Sequence, residues 1–129
     1  MSIKIDIPYE VLEVIGLRAH ANPTEEVCGV VIRGEHTPIK NIAKDRDRRF
    51  RMDPGEQMDA WNTWKREGEM IVYHSHPRGS ASPSREDQWV IARSEDITFL
   101  IYSVADKEFK AYRSTGIAII GIEINRVGV

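Results

Sequence analysis

The sequence predicts an α+β (mixed α/β) fold in which helices flank a central, mostly antiparallel β-sheet. Three observations support this class. Short segments with alternating or continuous apolar residues are typical of strands, other segments have helix-start signals or apolar residues at helical spacing, and hairpin-like turns join most strands. The predicted order of elements is β-α-β-β-α-β-α-β-β-β. At 129 residues the chain suits a single domain spanning positions 1–129.

The first two elements are a strand and an amphipathic helix. The residues "IKIDI" (3–7) alternate apolar and polar side chains, which predicts a strand. Pro8 can open the helix that follows, and the helix should end near Asn22-Pro23 because proline disfavours helix in the residue before it. The apolar face of this helix consists of Val11, Leu12, Ile15 and Ala19.

The next strand is "VCGVVIR" (27–33), whose apolar residues predict that it is buried. "GEHTP" (34–38) is predicted to be a hairpin-like turn that leads into "IKNIA" (39–43). The small, polar and proline residues of this segment are the signals on which that prediction rests.

A second helix is predicted from "DPGE" (53–56), with Asp53 as the N-cap and Pro54 as the first helical residue. Glu56 would be the reciprocal capping partner. This helix should extend to Gly68, and its packed face should consist of Met58, Trp61 and the stem of Lys65.

The second half of the chain alternates strands with one more helix. The run "ITFLIYSV" (97–104) is nearly continuous in apolar residues, which is typical of a central strand. The other predicted elements are the strand "EMIVYHS" (69–75), a loop at 77–83, a helix from Ser84, a turn at "ADKE" (105–108), the antiparallel strand "FKAYRS" (109–114) and one or two strands in "GIAIIGIEINRV" (116–127).

Composition excludes several functional classes. The formal net charge is −2, from 18 basic and 20 acidic residues, so no basic field indicates nucleic-acid binding. The run "KDRDRRFR" (44–51) is a local exception with two interpretations, a solvated loop, which we favour, or a binding patch. No apolar run is long enough to span a bilayer, and "MSIKIDIPYE" lacks the layout of a signal peptide. We therefore predict a cytoplasmic protein with no membrane partner.

Cysteine, histidine and tryptophan residues outside the main motif have plain structural interpretations. Cys28 excludes an internal disulfide, and we expect it to be a small buried residue and not a nucleophile. His20 and His36 are predicted to lie on the surface. The three tryptophans are expected to pack in the core or against helices rather than to bind a ligand: Trp61, Trp64 and Trp89.

The stretch "HSHPRGSASPSRED" (74–87) contains the chemistry of a metal site. Side chains two apart on a strand share a face, so His74 and His76 can bind one ion, and the small loop can bring Asp87 beside them. Two imidazoles and a carboxylate suit zinc, and three protein ligands leave a position for water, as in catalytic zinc sites. The alternative is that Ser84 and Asp87 only cap a helix, with Asp87 contributing about 0.3–1 kcal/mol. The two interpretations are compatible.

This stretch resembles the signature of the JAMM (MPN+ or Mov34) zinc metallopeptidases, which is H-x-H-P, a short loop, then [PS]-S-x-x-D. The resemblance extends over nearly the whole chain and implies a JAMM/cytidine-deaminase-like sandwich with zinc on His74, His76 and Asp87. The family's glutamate stands in a Glu-x-Cys-Gly context, and "TEEVCGVV" (24–31) matches it at Glu26. The resemblance implies that Glu26 holds and deprotonates the water and that Ser84 hydrogen-bonds the substrate carbonyl or oxyanion.

The resemblance also implies a substrate class, namely peptide or isopeptide bonds at the C-terminus of a ubiquitin-like protein. The short chain looks like the compact prokaryotic branch, which has a phage tail-assembly setting and a setting with ThiS- or MoaD-like sulfur carriers. "FRMDPGEQMDAW" (50–61) resembles both, and "FKAYRS" (109–114) favours the tail-assembly type. A zinc-binding structural component without turnover is the alternative, although the intact Glu26 argues against it. Oligomeric state is not predicted.

Overall fold

The computed structural model describes residues 3–64 and 69–128. Within them the elements follow the predicted order, and their bounds are β1 Lys4–Pro8, α1 Tyr9–Ala21, β2 Cys28–Ile32, β3 Glu35–Ile39, α2 Pro54–Trp64, β4 Met70–His76, α3 Arg85–Ala92, β5 Ile97–Ser103, β6 Glu108–Ser114 and β7 Ile119–Val127. The segment 116–127, for which one or two strands were predicted, therefore contains one strand, β7. No helix in these described ranges combines the length and apolarity needed to cross a bilayer.

The strands form one seven-stranded sheet in the order β1-β7-β6-β5-β4-β2-β3. Parallel pairing joins β1 to β7 and β4 to β5, while the other neighbouring pairs are antiparallel. The predicted class, a mostly antiparallel sheet with flanking helices, is therefore confirmed. The apolar strand β5 lies between β4 and β6, in the middle of the sheet, as its sequence predicted.

Helices cover both faces of the sheet. On one face α1 buries the four apolar residues predicted for it, and these pack against residues such as Val31, Tyr73 and Leu100. On the other face Ala60 of α2 and Ile91 of α3 belong to a second core with alternate residues of the central strands. Because side chains alternate along a strand, β4 contributes to both cores and is buried throughout.

The hairpin between β2 and β3 differs from its prediction. The turn lies at Arg33-Gly34, where both residues have positive φ (54° and 77°), and β3 begins directly afterwards at Glu35. Two-residue hairpin turns of this kind match the twist of the flanking strands and favour glycine. The prediction of a turn at "GEHTP" (34–38) was therefore wrong. Pro38 is tolerated inside β3 because β3 is an edge strand.

The start of α2 is capped, but only half as predicted. Asp53 Oδ2 accepts a hydrogen bond from the backbone N–H of Glu56 at 3.0 Å. The Glu56 carboxylate does not return to Asp53, because it accepts the N–H of Lys40 at 3.1 Å. The N–H of Asp53 donates to the carbonyl of Lys40 at 3.0 Å, so both groups bind the chain that follows β3.

The packed face of α2 also differs from expectation. Met58 is 60% exposed, whereas Ala60 is buried and Trp61 and Trp64 pack against the second core. Trp89 is also 60% exposed and lies under the guanidinium of Arg93, 3.9 Å from the ring centroid, so the packing role predicted for it was wrong. Lys65 and Gly68 lie outside the described residues.

Candidate active site

Strand β4 delivers two histidines to one face of the sheet. His74 and His76 are both buried, and Ser75 between them points to the opposite face. The Ser75 hydroxyl accepts the backbone N–H of Val27 at 2.9 Å, and the Ser75 N–H donates to the carbonyl of Val27 at 2.9 Å. These bonds extend the pairing between β2 and β4 past the N-terminal end of β2. They thereby hold the C-terminal end of β4, which carries the histidines, against the chain before β2.

Helix α3 delivers the carboxylate. Ser84 is its N-cap, and its hydroxyl accepts the N–H of Asp87 at 3.0 Å while the N–H of Ser84 donates to Asp87 Oδ2 at 2.9 Å. The predicted capping box is present. Holding the Asp87 side chain back toward the N-cap also aims Oδ2 at the histidines on β4.

Three potential ligand atoms converge at this point. The Nε2 atoms of His74 and His76 are 3.2 Å apart, and Asp87 Oδ2 lies 3.1 Å from the first and 3.0 Å from the second. Ligands bound tetrahedrally to zinc at 2.0–2.1 Å are about 3.3 Å from one another. The triangle therefore fits one face of a zinc coordination tetrahedron, and its nitrogen and oxygen donors suit that metal.

The surroundings of the two histidines orient their rings. His76 Nδ1 donates to the carbonyl of Ser80 at 2.7 Å, which fixes the ring and directs Nε2 at the site. The ring of Phe50 stacks on His74 with centroids 4.6 Å apart and an interplanar angle of 25°. His74 Nδ1 is buried and has no hydrogen-bond partner among the described residues. Stacking and packing, and not a second hydrogen bond, therefore hold the His74 ring.

The electrostatics of the cluster favour an ionised carboxylate. Burial raises the pKa of Asp87, but the hydrogen bonds from His74 and His76 outweigh it and hold this pKa well below its usual range. Burial lowers the pKa of His76, and its hydrogen bonds to Asp87 and Ser80 reverse the direction, so the net pKa is raised. A cation bound by these atoms would replace the proton between His76 and Asp87.

Glu26 lies directly before β2, beside the histidines. The antiparallel register places Cys28 opposite His74, and the Ser75–Val27 bonds continue that register so that Glu26 falls opposite His76. Residues directly opposite on paired strands share a face. Glu26 is 5% exposed. Its burial raises its pKa to about 8, an effect that His76 partly counters and Asp87 reinforces. A bound cation would lower this pKa.

A cleft of about 360 Å³ lies along α3 and reaches the candidate ligands at Asp87, whereas His74, His76 and Glu26 are not among its lining residues. Ser84 and Asp87 line one end, and the buried side chains of Val72 and Phe99 contribute to its floor. The opposite wall includes residues 48–52. The run "KDRDRRFR" (44–51) is a loop that lies against the candidate site. That it is only a solvated loop and not a binding patch stays a prediction.

Three arginines of this loop line the cleft. Arg49 is paired with Asp45 at 2.8 Å and with Glu86 of α3 at 3.0 Å, so one ion pair bridges the two walls. The other two are Arg48 and Arg51, and both are exposed. Sequence reasoning missed the role of Phe50 beside His74. The only signal was the unusual charge of the run that contains it.

The structure also locates the remaining cysteine and histidines. Cys28 is fully buried, its Sγ donates to the carbonyl of Ile39 at 3.4 Å, and burial raises its pKa to about 12, all consistent with an inert thiol. His20 is exposed, as expected. His36 is half-buried with a ring nitrogen 2.6 Å from the hydroxyl of Tyr73, so the surface location predicted for it was wrong.

Solved structures of other proteins superpose on this chain and identify its fold. A protein from Desulfitobacterium hafniense solved in solution superposes with a TM-score of 0.77 at 25% identity, covering 96% of this chain and 93% of the other. A crystal structure of a JAB1/MPN domain protein from Archaeoglobus fulgidus gives 0.55 at 16% identity, covering 93% and 98%. The fold is therefore of the JAB1/MPN class.

Sequence relatives identify the family. The profile described as prokaryotic homologs of the JAB domain matches residues 8–115. The proteins named CysO-cysteine peptidase from Mycobacterium tuberculosis and Mycobacterium bovis are 30% identical over 122 residues, which cover 84% of this chain and 83% of theirs. The chain belongs to the prokaryotic JAB-domain family, which confirms the family predicted from the motif.

Proposed function

We propose that this protein is a zinc-dependent peptidase that cleaves a peptide or isopeptide bond at the C-terminal tail of a ubiquitin-like sulfur carrier. The observation that carries the proposal is the convergence of His74, His76 and Asp87 on one point, with the buried carboxylate of Glu26 on the same face. Membership of the JAB-domain family and the peptidase name of its relatives support the reaction class.

The residues that would hold zinc are His74, His76 and Asp87. When bound there, zinc would polarise the scissile carbonyl and lower the pKa of a water toward about 7. The protein contributes the geometry: β4 fixes the two imidazoles, and the capping box fixes the carboxylate. Three ligands from two rigid elements keep the donor atoms within hydrogen-bonding distance of one another before a metal arrives.

Glu26 is the proposed general base. Its carboxylate would take a proton from the attacking water as the water oxygen bonds to the scissile carbonyl carbon, and would then give that proton to the leaving nitrogen. Burial raises its pKa to about 8 in the metal-free site, His76 partly counters this rise, and a bound cation would lower the pKa further toward neutral. A base titrating near neutral pH suits both the acceptance and the donation of the proton.

Ser84 is the proposed oxyanion donor. Its oxygen accepts the N–H of Asp87 at 3.0 Å, which fixes the oxygen and leaves the hydroxyl hydrogen able to turn toward the cleft. A donor that meets developing negative charge contributes about 2.7–4 kcal/mol to the barrier in comparable enzymes. Helix capping and catalysis therefore place compatible demands on this one side chain.

The cleft beside α3 is the proposed path of the substrate tail. Its floor is apolar, and the exposed Arg48 and Arg51 stand on its rim. The apolar floor would bury side chains of an extended peptide, and the arginines would attract acidic groups beside the scissile bond. We expect one substrate chain to run from Ser84 along α3 in the direction of Ser94.

The relatives named CysO-cysteine peptidase support the sulfur-carrier setting over tail assembly. The tail-assembly preference rested on "FKAYRS" (109–114), which forms the sheet strand β6 and so already has a structural role. The alternative of a zinc-binding structural component gives no reason to bury Glu26 beside the metal ligands. A cytoplasmic location, the lack of a nucleic-acid partner and the single-domain extent remain predictions.

A cleavage assay tests the proposal. The substrate is a ThiS- or MoaD-like carrier with a short C-terminal extension, and mass spectrometry detects the released tail. Zinc-loaded protein should cleave it, while Glu26→Gln should bind about one zinc equivalent and cleave at least about 100-fold more slowly. A protein that binds zinc but cleaves no carrier would favour the structural alternative. A folded protein that takes up no zinc would contradict the ligand assignment.

A further inference from the structure

We propose that Asn41 is a positioning residue that holds the backbone of Glu26 in place for proton transfer. This inference rests on the function proposed above, since it concerns the base of that reaction. Asn41 belongs to no motif in the sequence, and it lies between β3 and α2 in an isolated bridge with Met52. Its side chain is directed inward, and the residue is 6% exposed.

The amide of Asn41 uses its full hydrogen-bonding capacity. Nδ2 donates to the carbonyl of Glu26 at 2.8 Å and to that of Arg49 at 3.1 Å. Oδ1 accepts the N–H groups of Ala43 and Arg51, each at 3.0 Å. Two carbonyls face one end of the amide and two N–H groups face the other, so only one orientation satisfies all four bonds.

The backbone of Glu26 depends on these contacts because Glu26 comes before the first residue of β2 and is outside the strand. Its carbonyl accepts from Asn41, and its N–H donates to the carbonyl of Arg46. Both of these groups are therefore held by the segment 41–49 and not by the central strand β4. Removing the Asn41 amide would leave the Glu26 carbonyl without this donor and would loosen the loop that accepts the N–H.

The consequence for the reaction follows from the short reach of a general base. The Glu26 carboxylate must come within about 2.6–3.2 Å of the proton it removes. A misplacement of about 1 Å in such a group costs roughly 100-fold in rate. A small shift of the Glu26 backbone would therefore reduce turnover without changing a metal ligand or the floor of the cleft.

The two ends of the loop between β3 and α2 are held together by backbone hydrogen bonds that do not depend on the Asn41 side chain. The N–H of Ile42 donates to the carbonyl of Arg51 at 2.8 Å, and the N–H of Asp53 donates to that of Lys40 at 3.0 Å. These backbone bonds do not involve the amide. Asn41→Ala should therefore retain the loop ends and the sheet while releasing the bonds inside the loop.

The test compares Asn41→Ala with Ser114→Ala. Ser114 is a matched control because it is also buried and bridges backbone groups, those of Ala92 and Gly116, at the end of β6 that the strand register places away from His76. Each variant is assayed for kcat, KM, zinc content and amide hydrogen exchange at Glu26. We expect Asn41→Ala to lower kcat about 10- to 100-fold with KM within about threefold of wild type, and to leave zinc content unchanged. Exchange should accelerate at Glu26, while Ser114→Ala should leave kcat and this exchange unchanged.

The outcomes separate the two proposals. Unchanged exchange at Glu26 or an unchanged kcat in folded Asn41→Ala would overturn the positioning role. A fall in kcat that only matches a fall in zinc content would also overturn it. If wild type cleaves no carrier while exchange at Glu26 still accelerates in Asn41→Ala, the proposed function fails and the hold of Asn41 on Glu26 is supported.

Discussion

His76 Nε2 lies 3.0 Å from Asp87 Oδ2, although the two residues belong to different elements, β4 and α3. The same carboxylate oxygen accepts the backbone N–H of Ser84 at 2.9 Å. The hydrogen bond that completes the cap of α3 therefore also directs the carboxylate at the histidines. Helix capping and the proposed metal ligation are one structural arrangement here.

Removal of the Asp87 charge should weaken zinc binding strongly. We expect Asp87→Asn to lower zinc affinity by more than the roughly 10- to 100-fold typical of outer partners of a metal site, because Asp87 is a proposed direct ligand. Competition with a chromophoric chelator measures this. Glu86→Gln is the matched control on the neighbouring residue of α3, where the carboxylate pairs with Arg49, and its zinc affinity should not change. Equal affinities for both variants would remove Asp87 from the ligand set.

Replacing Ser84 by glycine should separate capping from catalysis. Glycine is a tolerated N-cap and costs only a few tenths of a kcal/mol there, whereas loss of an oxyanion donor lowers kcat about 100- to 1,000-fold. Ser84→Gly should therefore lower kcat by that factor while the free energy of unfolding changes little. Chemical denaturation and steady-state kinetics give the two numbers. A kcat close to wild type would assign Ser84 to capping alone.

Phe50 should contribute to zinc affinity through His74. The stacked rings are 4.6 Å apart, and such aromatic pairs contribute about 0.5–1.5 kcal/mol, so Phe50→Ala should weaken zinc binding roughly 2- to 10-fold. Phe109→Ala is the control, because the ring of Phe109 packs against Tyr102 at 4.4 Å in the core beneath α1, on the other face of the sheet from the histidines. A Phe50→Ala variant with unchanged zinc affinity would show that other packing holds the His74 ring.

Glu26 should make the stability of the zinc-free protein depend on pH. Its pKa in the folded state is about 8 against an ordinary value of 4.5, so the folded protein holds an extra proton between these values. The free energy of unfolding therefore falls as pH rises from about 4.5 to 8 and stays lower above it. Glu26→Gln should remove this decline and be more stable than wild type at pH 9 by about 2–4 kcal/mol. Urea unfolding in the presence of a chelator at pH 5 and pH 9 measures this difference in stability. The same pH dependence in wild type and in Glu26→Gln would contradict a buried, protonated Glu26 carboxyl group.

The sequence predicted the parts of the site that depend on local geometry. His74 and His76 share a face because strand side chains alternate, and Ser84 and Asp87 follow the spacing of a capping box. Glu26 lies 48 residues from His74 along the chain. Only the register between β2 and β4 brings it close, and the family resemblance, not the residues themselves, predicted that proximity.

The features that the sequence did not predict depend on contacts between distant segments. Asn41 and Phe50 act through a loop that folds back on Glu26 and His74, and no periodic pattern encodes such a contact. The turn at Arg33-Gly34 was misplaced because Pro38 is as typical of turns as of edge strands. Trp89 was expected to pack because of its size, yet it lies outside the core with the guanidinium of Arg93 over its ring.

Zinc-dependent peptidase activity is tested most directly by the cleavage of a tailed ubiquitin-like sulfur carrier by wild type and by Glu26→Gln, both loaded with zinc and both assayed for metal content. We expect about one zinc equivalent in each protein, release of the tail by wild type, and a rate at least about 100-fold lower for the variant. Equal cleavage by two zinc-loaded proteins, or no cleavage by zinc-loaded wild type, would rule out the proposed activity.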